Sequence, residues 1–176
     1  MESLVCETAL VEAILPELRS IGDRWAAGTV TVAQEHFAST LIRGRLLGLA
    51  RGWDEGPGQR AVLACVPGEL HDIGLIAFGL VLRRSGWRIL YLGQDTPIDT
   101  AASALKRAGA RLLVVASVER RRFSAVAAEL AALARSTTVA IGGAGATAEH
   151  ARQIRATLLD SGPVVAAPQL ARAATH

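Results

Sequence analysis

Four short stretches carry residue types able to do chemistry. In Glu69-Leu70-His71-Asp72-Ile73-Gly74, a carboxylate stands two residues before a histidine and a glycine three after it. A carboxylate so placed can accept the proton of one ring nitrogen and hold the other nitrogen toward a metal. The glycine would let a bulky ligand or a backbone come close. Ser117 closes an apolar run, and Gly142-Gly143-Ala144-Gly145 follows the next one; glycines there suit close approach of a flat or phosphate-bearing ligand. Trp25, nine intervening residues and then Glu35-His36 form the fourth stretch. Singly, each has a plainer reading: a surface histidine in a polar loop, a serine that forms a turn or caps a helix, a glycine run that is weak by itself, a tryptophan filling a helix junction.

The elements that must position these residues change character near Trp53–Gln59. Before that point, apolar residues recur at helical spacing, first from Leu4 to Leu18 and then from Phe37 to Leu49, which predicts two helices. Pro16 would kink the first, and Asp23 would cap a short turn carrying Trp25. After Pro57, short apolar runs at 61–66, 88–92, 112–117, 138–141 and 164–166 alternate with helical stretches at 74–85, 98–108, 123–135 and 146–159. Runs without strict alternation fit strands buried on both faces. The expectation is an α/β chain: residues 1–54 a small helical cap, residues 58–176 a five-stranded, parallel, doubly wound (Rossmann-like) domain. Ligands of such sheets bind beyond the carboxyl ends of the strands, where the loops of His71, Ser117 and Gly142 would all lie.

Composition narrows the classes. The 176 residues are 51% apolar and 20% charged, too apolar for disorder. The longest apolar stretch, Ile73 to Leu82, is too short for a bilayer, which needs roughly 20 residues, so no membrane association is expected. No basic, apolar leader opens the sequence. Cys6 and Cys65 build no disulfide framework, which predicts a reduced, cytoplasmic setting. Net charge is +3 and pI 9.5, but the basic residues are spread along the chain and only Arg120–Arg122 form a run. That run reads as a solvated helix start rather than a nucleic-acid footprint. There is no G-x-x-x-x-G-K-[ST] loop, and the acidic positions of a phospho-receiver are held by Cys65-Val66-Pro67 and Ser117.

Together, Glu69-x-His71-x-x-Gly74, Ser117 and Gly142-Gly143 resemble the D-x-H-x-x-G, S-x-L and G-G signature of cobalamin-binding domains. The 42 residues between Gly74 and Ser117 match the family's usual gap. Glu69 stands for the commoner aspartate, Glu119 where the motif has leucine, and the segment from Glu119 to Gly142 is a few residues short. The resemblance implies base-off binding: His71 becomes the lower cobalt ligand, and the displaced nucleotide tail runs beside Ser117, Gly142 and Gly143. It also implies that Glu69 and Ser117 tune His71 by hydrogen bonding.

The W-x₉-E-H stretch is similar to the upper-face cap of light-responsive, adenosylcobalamin-dependent MerR-type repressors of carotenoid genes. The likeness continues through Ala38-Ser39-Thr40, Arg45, Tyr91-Leu92-Gly93 and Asp95-Thr96-Pro97. It implies that Trp25, Glu35 and His36 cover the upper ligand, and that transcription regulation is the wider role. Light-sensing members carry a histidine directly after the tryptophan, where this chain has Ala26; His36 would take that part only if the cap moved. The repressors begin with a DNA-binding domain, which this chain is expected to lack. The resulting expectation is a non-enzymatic cobalamin sensor or photoreceptor module. It would bind adenosylcobalamin first and methylcobalamin second, and signal as a homo-oligomer or through a regulatory protein partner. The alternative is a corrinoid carrier of a methyltransferase system; a third reading is a doubly wound domain for another nucleotide.

Overall fold

The computed structural model describes residues 31–174, and the chain divides into two compact units between Arg51 and Gly52. In the first unit, helix α1 spans Val32–Leu49. Thr31 starts it with a reciprocal box. The Gln34 amide donates to the Thr31 hydroxyl at 3.3 Å, and the Thr31 amide donates to the Gln34 side chain at 3.0 Å. Two of the four unpaired N–H groups of a helix start are thereby satisfied.

The second unit runs β1 (Arg60–Cys65), α2 (Ile73–Arg84), β2 (Arg88–Gly93), α3 (Ile98–Ala108), β3 (Leu112–Ala116), α4 (Arg120–Leu133), β4 (Thr138–Gly142), α5 (Ala148–Ile154), β5 (Thr157–Leu159) and α6 (Pro163–Ala173). The five strands form one parallel sheet in the order β2-β1-β3-β4-β5. Side chains alternate across a strand, so Val62, Ala64 and Val66 of β1 and the loop after it join Leu113, Val115, Val139 and Ile141 on one face. There they meet Ile98 and Leu105 of α3, Phe123 and Leu130 of α4, and Ile154 of α5. Helices α2 and α6 pack against each other. Both faces are covered, which is why the strands read as continuous apolar runs. Phe123 is wholly buried; truncating it to alanine would cost about 3–5 kcal/mol.

The first four strands lie within a residue or two of their expected positions. The fifth does not. Residues 164–166 were expected as strand, yet they belong to α6, and β5 is Thr157–Leu159, inside the stretch expected as helix. Two local features cause this. Arg155 takes a left-handed conformation (φ 64°) that ends α5, as a C-terminal cap does. Gly162 (φ 77°) then turns the chain into Pro163, which starts α6 with its fixed φ. Among the described residues no helix is long and apolar enough to cross a membrane.

Candidate cofactor site

From β1 the chain crosses to β2 on one side and then returns to β3 on the other. The loops leaving β1 and β3 therefore diverge, and a crevice opens at that switch point. The β1 loop is pinned across it. The amide of Val66 donates to the Ala116 carbonyl (3.2 Å), that of Asp95 to the Glu69 carbonyl (2.9 Å), and that of Thr96 to the Cys65 carbonyl (3.1 Å).

Glu69 sits in the crevice with no exposure to solvent. Its Oε1 accepts the His71 amide at 2.9 Å and lies 2.7 Å from His71 Nδ1. Its Oε2 accepts the Ser117 hydroxyl and the Val118 amide, each at 2.8 Å. Burial alone would push this carboxyl up. The His71 and Val118 amides, the Ser117 hydroxyl and the His71 ring outweigh it and hold the group at about 2. The carboxylate is thus ionised and has only acceptors to offer, so the proton shared with His71 resides on Nδ1. Nε2 is the ring nitrogen that Glu69 does not engage. The His71 side chain is 73% exposed, and among the described residues Nε2 has no partner. What the arrangement can do chemically is present one imidazole nitrogen, its ring oriented and backed by a buried carboxylate, at the ligand edge of the sheet.

Ser117 is held as firmly as the carboxylate it serves. Its amide donates to the Gly142 carbonyl (3.2 Å), and its own carbonyl accepts the Gly145 amide (2.9 Å). Gly143 has φ 91°, and a Cβ there would lie 2.4 Å from the Ser117 carbonyl oxygen. Its missing side chain is therefore required by the approach of the β4 loop to Ser117. Gly142 stands against Leu159 in ordinary contact, whereas a Cβ on Gly74, near the start of α2, would meet nothing within 4 Å.

Sequence reasoning missed several members. Arg122 was read as part of a solvated helix start. Its Nε is instead buried, without a hydrogen bond among the described residues, 3.9 Å from Glu69 Oε2, while Nη2 donates to Glu119 at 2.7 Å. Glu119, a departure from the motif, is the residue that holds Arg121 and Arg122 at the start of α4. The Val118 amide was not a candidate because backbone donors leave no mark in a sequence. Asp72 accepts the Tyr91 hydroxyl at 2.5 Å, a pairing that needed β1 and β2 to be adjacent. In the first unit, His36 Nδ1 is 3.3 Å from Glu35 Oε2, and the Ser39 hydroxyl donates to Glu35 Oε1 at 2.6 Å. Trp25 and Ala26 lie outside the described residues.

A doubly wound domain that aims one carboxylate-backed imidazole out of its switch-point crevice is a cofactor-binding domain. The particular family follows from comparison: this chain belongs to the B12-binding domain family, whose model matches residues 59–167. A second model described as a B12 binding domain matches residues 2–47. The HTH-type transcriptional repressor CarH of Myxococcus xanthus is 39% identical over 147 residues, 81% of this chain and 49% of that one. The repressor CarA of the same organism is 36% identical over 145 residues, 80% of this chain and 48% of that one. The chain thus spans about half the length of the curated relatives it matches. Among solved structures, a monomethylamine corrinoid protein of Methanosarcina barkeri aligns with TM-score 0.67 at 20% identity, covering 89% of this chain and 78% of that one. A cobalamin-binding protein of Desulfitobacterium hafniense aligns with TM-score 0.55 at 22% identity, covering 95% and 82%. These two establish the fold.

Proposed function

We propose that the chain is the sensing module of a cobalamin-dependent regulator and takes adenosylcobalamin with His71 Nε2 as the lower ligand of cobalt. The observation that carries this reading is the buried Glu69 carboxylate, which grips His71 Nδ1 on one oxygen and Ser117 on the other. The donor set suits the group. Among the described residues no three His, Cys, Asp or Glu side chains gather as a free ion would need, whereas a cobalt already enclosed in a corrin asks the protein for one nitrogen. A Cβ on Gly74 would meet nothing within 4 Å among the described residues, so the backbone near the start of α2 is open to a ligand.

In this reading Glu69 keeps the Nδ1 proton in place and raises the basicity of Nε2, and Ser117 and the Val118 amide keep Glu69 ionised. Ser117, Gly142 and Gly143 border the path of the nucleotide tail. Trp25, Glu35 and His36 of the helical unit take the upper ligand, as the match of residues 2–47 supports. When bound, adenosylcobalamin supplies a cobalt–carbon bond weak enough to be broken by light. A change in the upper ligand would then bias assembly or a partner, with no turnover by this chain. The 36–39% identity to named transcriptional repressors favours this over a methyl carrier, because the likeness to corrinoid proteins extends to fold alone.

The test is an absorption spectrum of the protein mixed with adenosylcobalamin in the dark, desalted and then illuminated. Retained colour with a nitrogen-ligated, base-off spectrum and a photochemical change unlike that of free cofactor is the expected result. A folded but colourless protein after desalting would overturn the reading, and retained colour with no light response of its own would turn it toward a dark sensor or carrier.

A further inference from the structure

The basic residues that lie scattered in the sequence converge in the fold. Every strand of a parallel sheet starts at the same edge, so the amino edge collects what stands before each strand. Arg60 of β1 is in register with Arg88 of β2, and Arg111 directly precedes Leu112, which is in register with Ala61. Arg135 follows α4 just before β4, and Arg155 ends α5 just before β5. This edge is the opposite one from His71.

Two of these arginines are engaged by the protein itself. Arg60 pairs with Asp54 at 2.7 and 3.1 Å and donates to the Ala108 carbonyl at 3.1 Å; Arg88 donates to the Gly58 carbonyl at 2.7 Å. The other three are not. Arg111, Arg135 and Arg155 line an open groove of about 450 Å³ together with the hydroxyl residues Ser136, Thr137, Thr138 and Thr157. Among the described residues, none of the three guanidinium groups has a hydrogen bond or ion pair, and the groove has no carboxylate in its lining. Basic residues in the last turns of α2, α3 and α5 are explained by the negative ends of those helices. Arg135 and Arg155 also stand at helix carboxyl ends, but Arg111 stands at a strand start, where that explanation does not reach. Arg155 holds a left-handed conformation in which glycine or asparagine is usual, and this places its side chain at the groove.

Guanidinium forks beside hydroxyl donors match phosphate oxygens. Among the described residues no aromatic lines the groove, so these offer nothing on which a base could stack. The arginines also extend along the sheet edge beyond the size of one small anion, at about 4.8 Å per strand. From these features we infer that the amino edge of the sheet is a contact surface for the phosphate backbone of a nucleic acid, independent of sequence. It is distinct from the cofactor site and from any base-reading domain.

The test measures anisotropy of a labelled duplex DNA of arbitrary sequence against the 176-residue chain at rising salt. Expected is binding in the range of about 10⁻⁴–10⁻⁶ M at moderate salt, weakening linearly on a log–log plot. The triple variant Arg111→Gln/Arg135→Gln/Arg155→Gln should lose roughly 2–3 units of that slope, the corresponding lysine triple should keep most of it, and Arg135→Gln alone should lose about one. Circular dichroism confirms that each variant folds. Absence of binding at low salt, or binding unchanged in the glutamine triple, would overturn the inference. So would displacement of the DNA by inorganic pyrophosphate at equal phosphate concentration, which marks a small-anion site, or by polyglutamate, which marks an acidic protein partner.

Discussion

The hydroxyl of Ser117 and the carboxylate of Glu69 stand 48 residues apart in the chain and meet at 2.8 Å, across the point where the sheet changes its direction of winding. This contact joins the loop after β1 to the loop after β3, and through Glu69 it reaches His71. Removing the hydroxyl in Ser117→Ala leaves Glu69 Oε2 with one hydrogen bond fewer in a dry site. A hydrogen bond to a charged group contributes about 1.5–3 kcal/mol, so urea unfolding of the cofactor-free protein should show a loss of about 2 kcal/mol. An unchanged midpoint would mean that the carboxylate does not need this donor.

Acid should act through the same group. The folded value of Glu69, about 2, lies below its ordinary 4.5, so the fold favours the ionised form. That contribution is complete above about pH 4.5 and disappears as pH falls through the folded value; a difference of this size corresponds to about 3 kcal/mol. In Glu69→Gln an amide NH₂ would face N–H donors. The variant should therefore be less stable than the parent by roughly that amount near neutrality, and the gap should close as pH approaches 2. Thermal unfolding of both proteins at a series of pH values would decide; a gap independent of pH would exclude ionisation as its source.

Two glycines should respond in opposite ways. Gly143→Ala meets a carbonyl oxygen at 2.4 Å in a backbone region that L side chains rarely adopt, so it should destabilise the protein by about 2 kcal/mol or more. Gly74→Ala meets nothing, and within a helix alanine should stabilise by about 0.5–1 kcal/mol. If a corrin approaches α2, that variant should fold better yet retain less cobalamin after desalting. Equal retention would remove Gly74 from the site.

His71→Ala removes the Nδ1 hydrogen bond to the buried Glu69 carboxylate, so the cofactor-free protein should lose up to about 1.5–3 kcal/mol, less what water entering beside the exposed ring restores. Cobalamin added to it should bind more weakly and lose the protein-nitrogen signature from its spectrum. A spectrum and affinity equal to those of the parent would remove the central claim about cobalt ligation.

The sequence was informative where chemistry is carried by side-chain identity and short spacing. Glu69 and His71 are two residues apart, so their pairing was legible, whereas the part of Ser117 was implied only by the resemblance to cobalamin-binding domains. Strands β1, β3 and β4 were legible because burial on both faces leaves an unbroken apolar run, and the edge strand β2 because its Ile89–Leu92 run is apolar though only partly buried. The fifth was not: Thr157–Leu159 has three residues and partial burial, too little to stand out beside Val164–Ala166, an apolar run at the start of α6 of which only Ala166 is buried while Val165 is half exposed.

Residue type and period thus determined a parallel doubly wound sheet and an imidazole backed by a carboxylate at its ligand edge. Tertiary structure alone decided the rest. It aimed the Val118 amide at Glu69, brought Arg122 under the same carboxylate, made Gly143 obligatory through a neighbouring carbonyl, and drew arginines from five separate segments to one edge. The physical reason is common to all four. A backbone donor looks alike at every position, and a charge in solution acts over only about 10 Å, so distances between segments fix their roles, and those distances come into being only when the strands are laid side by side.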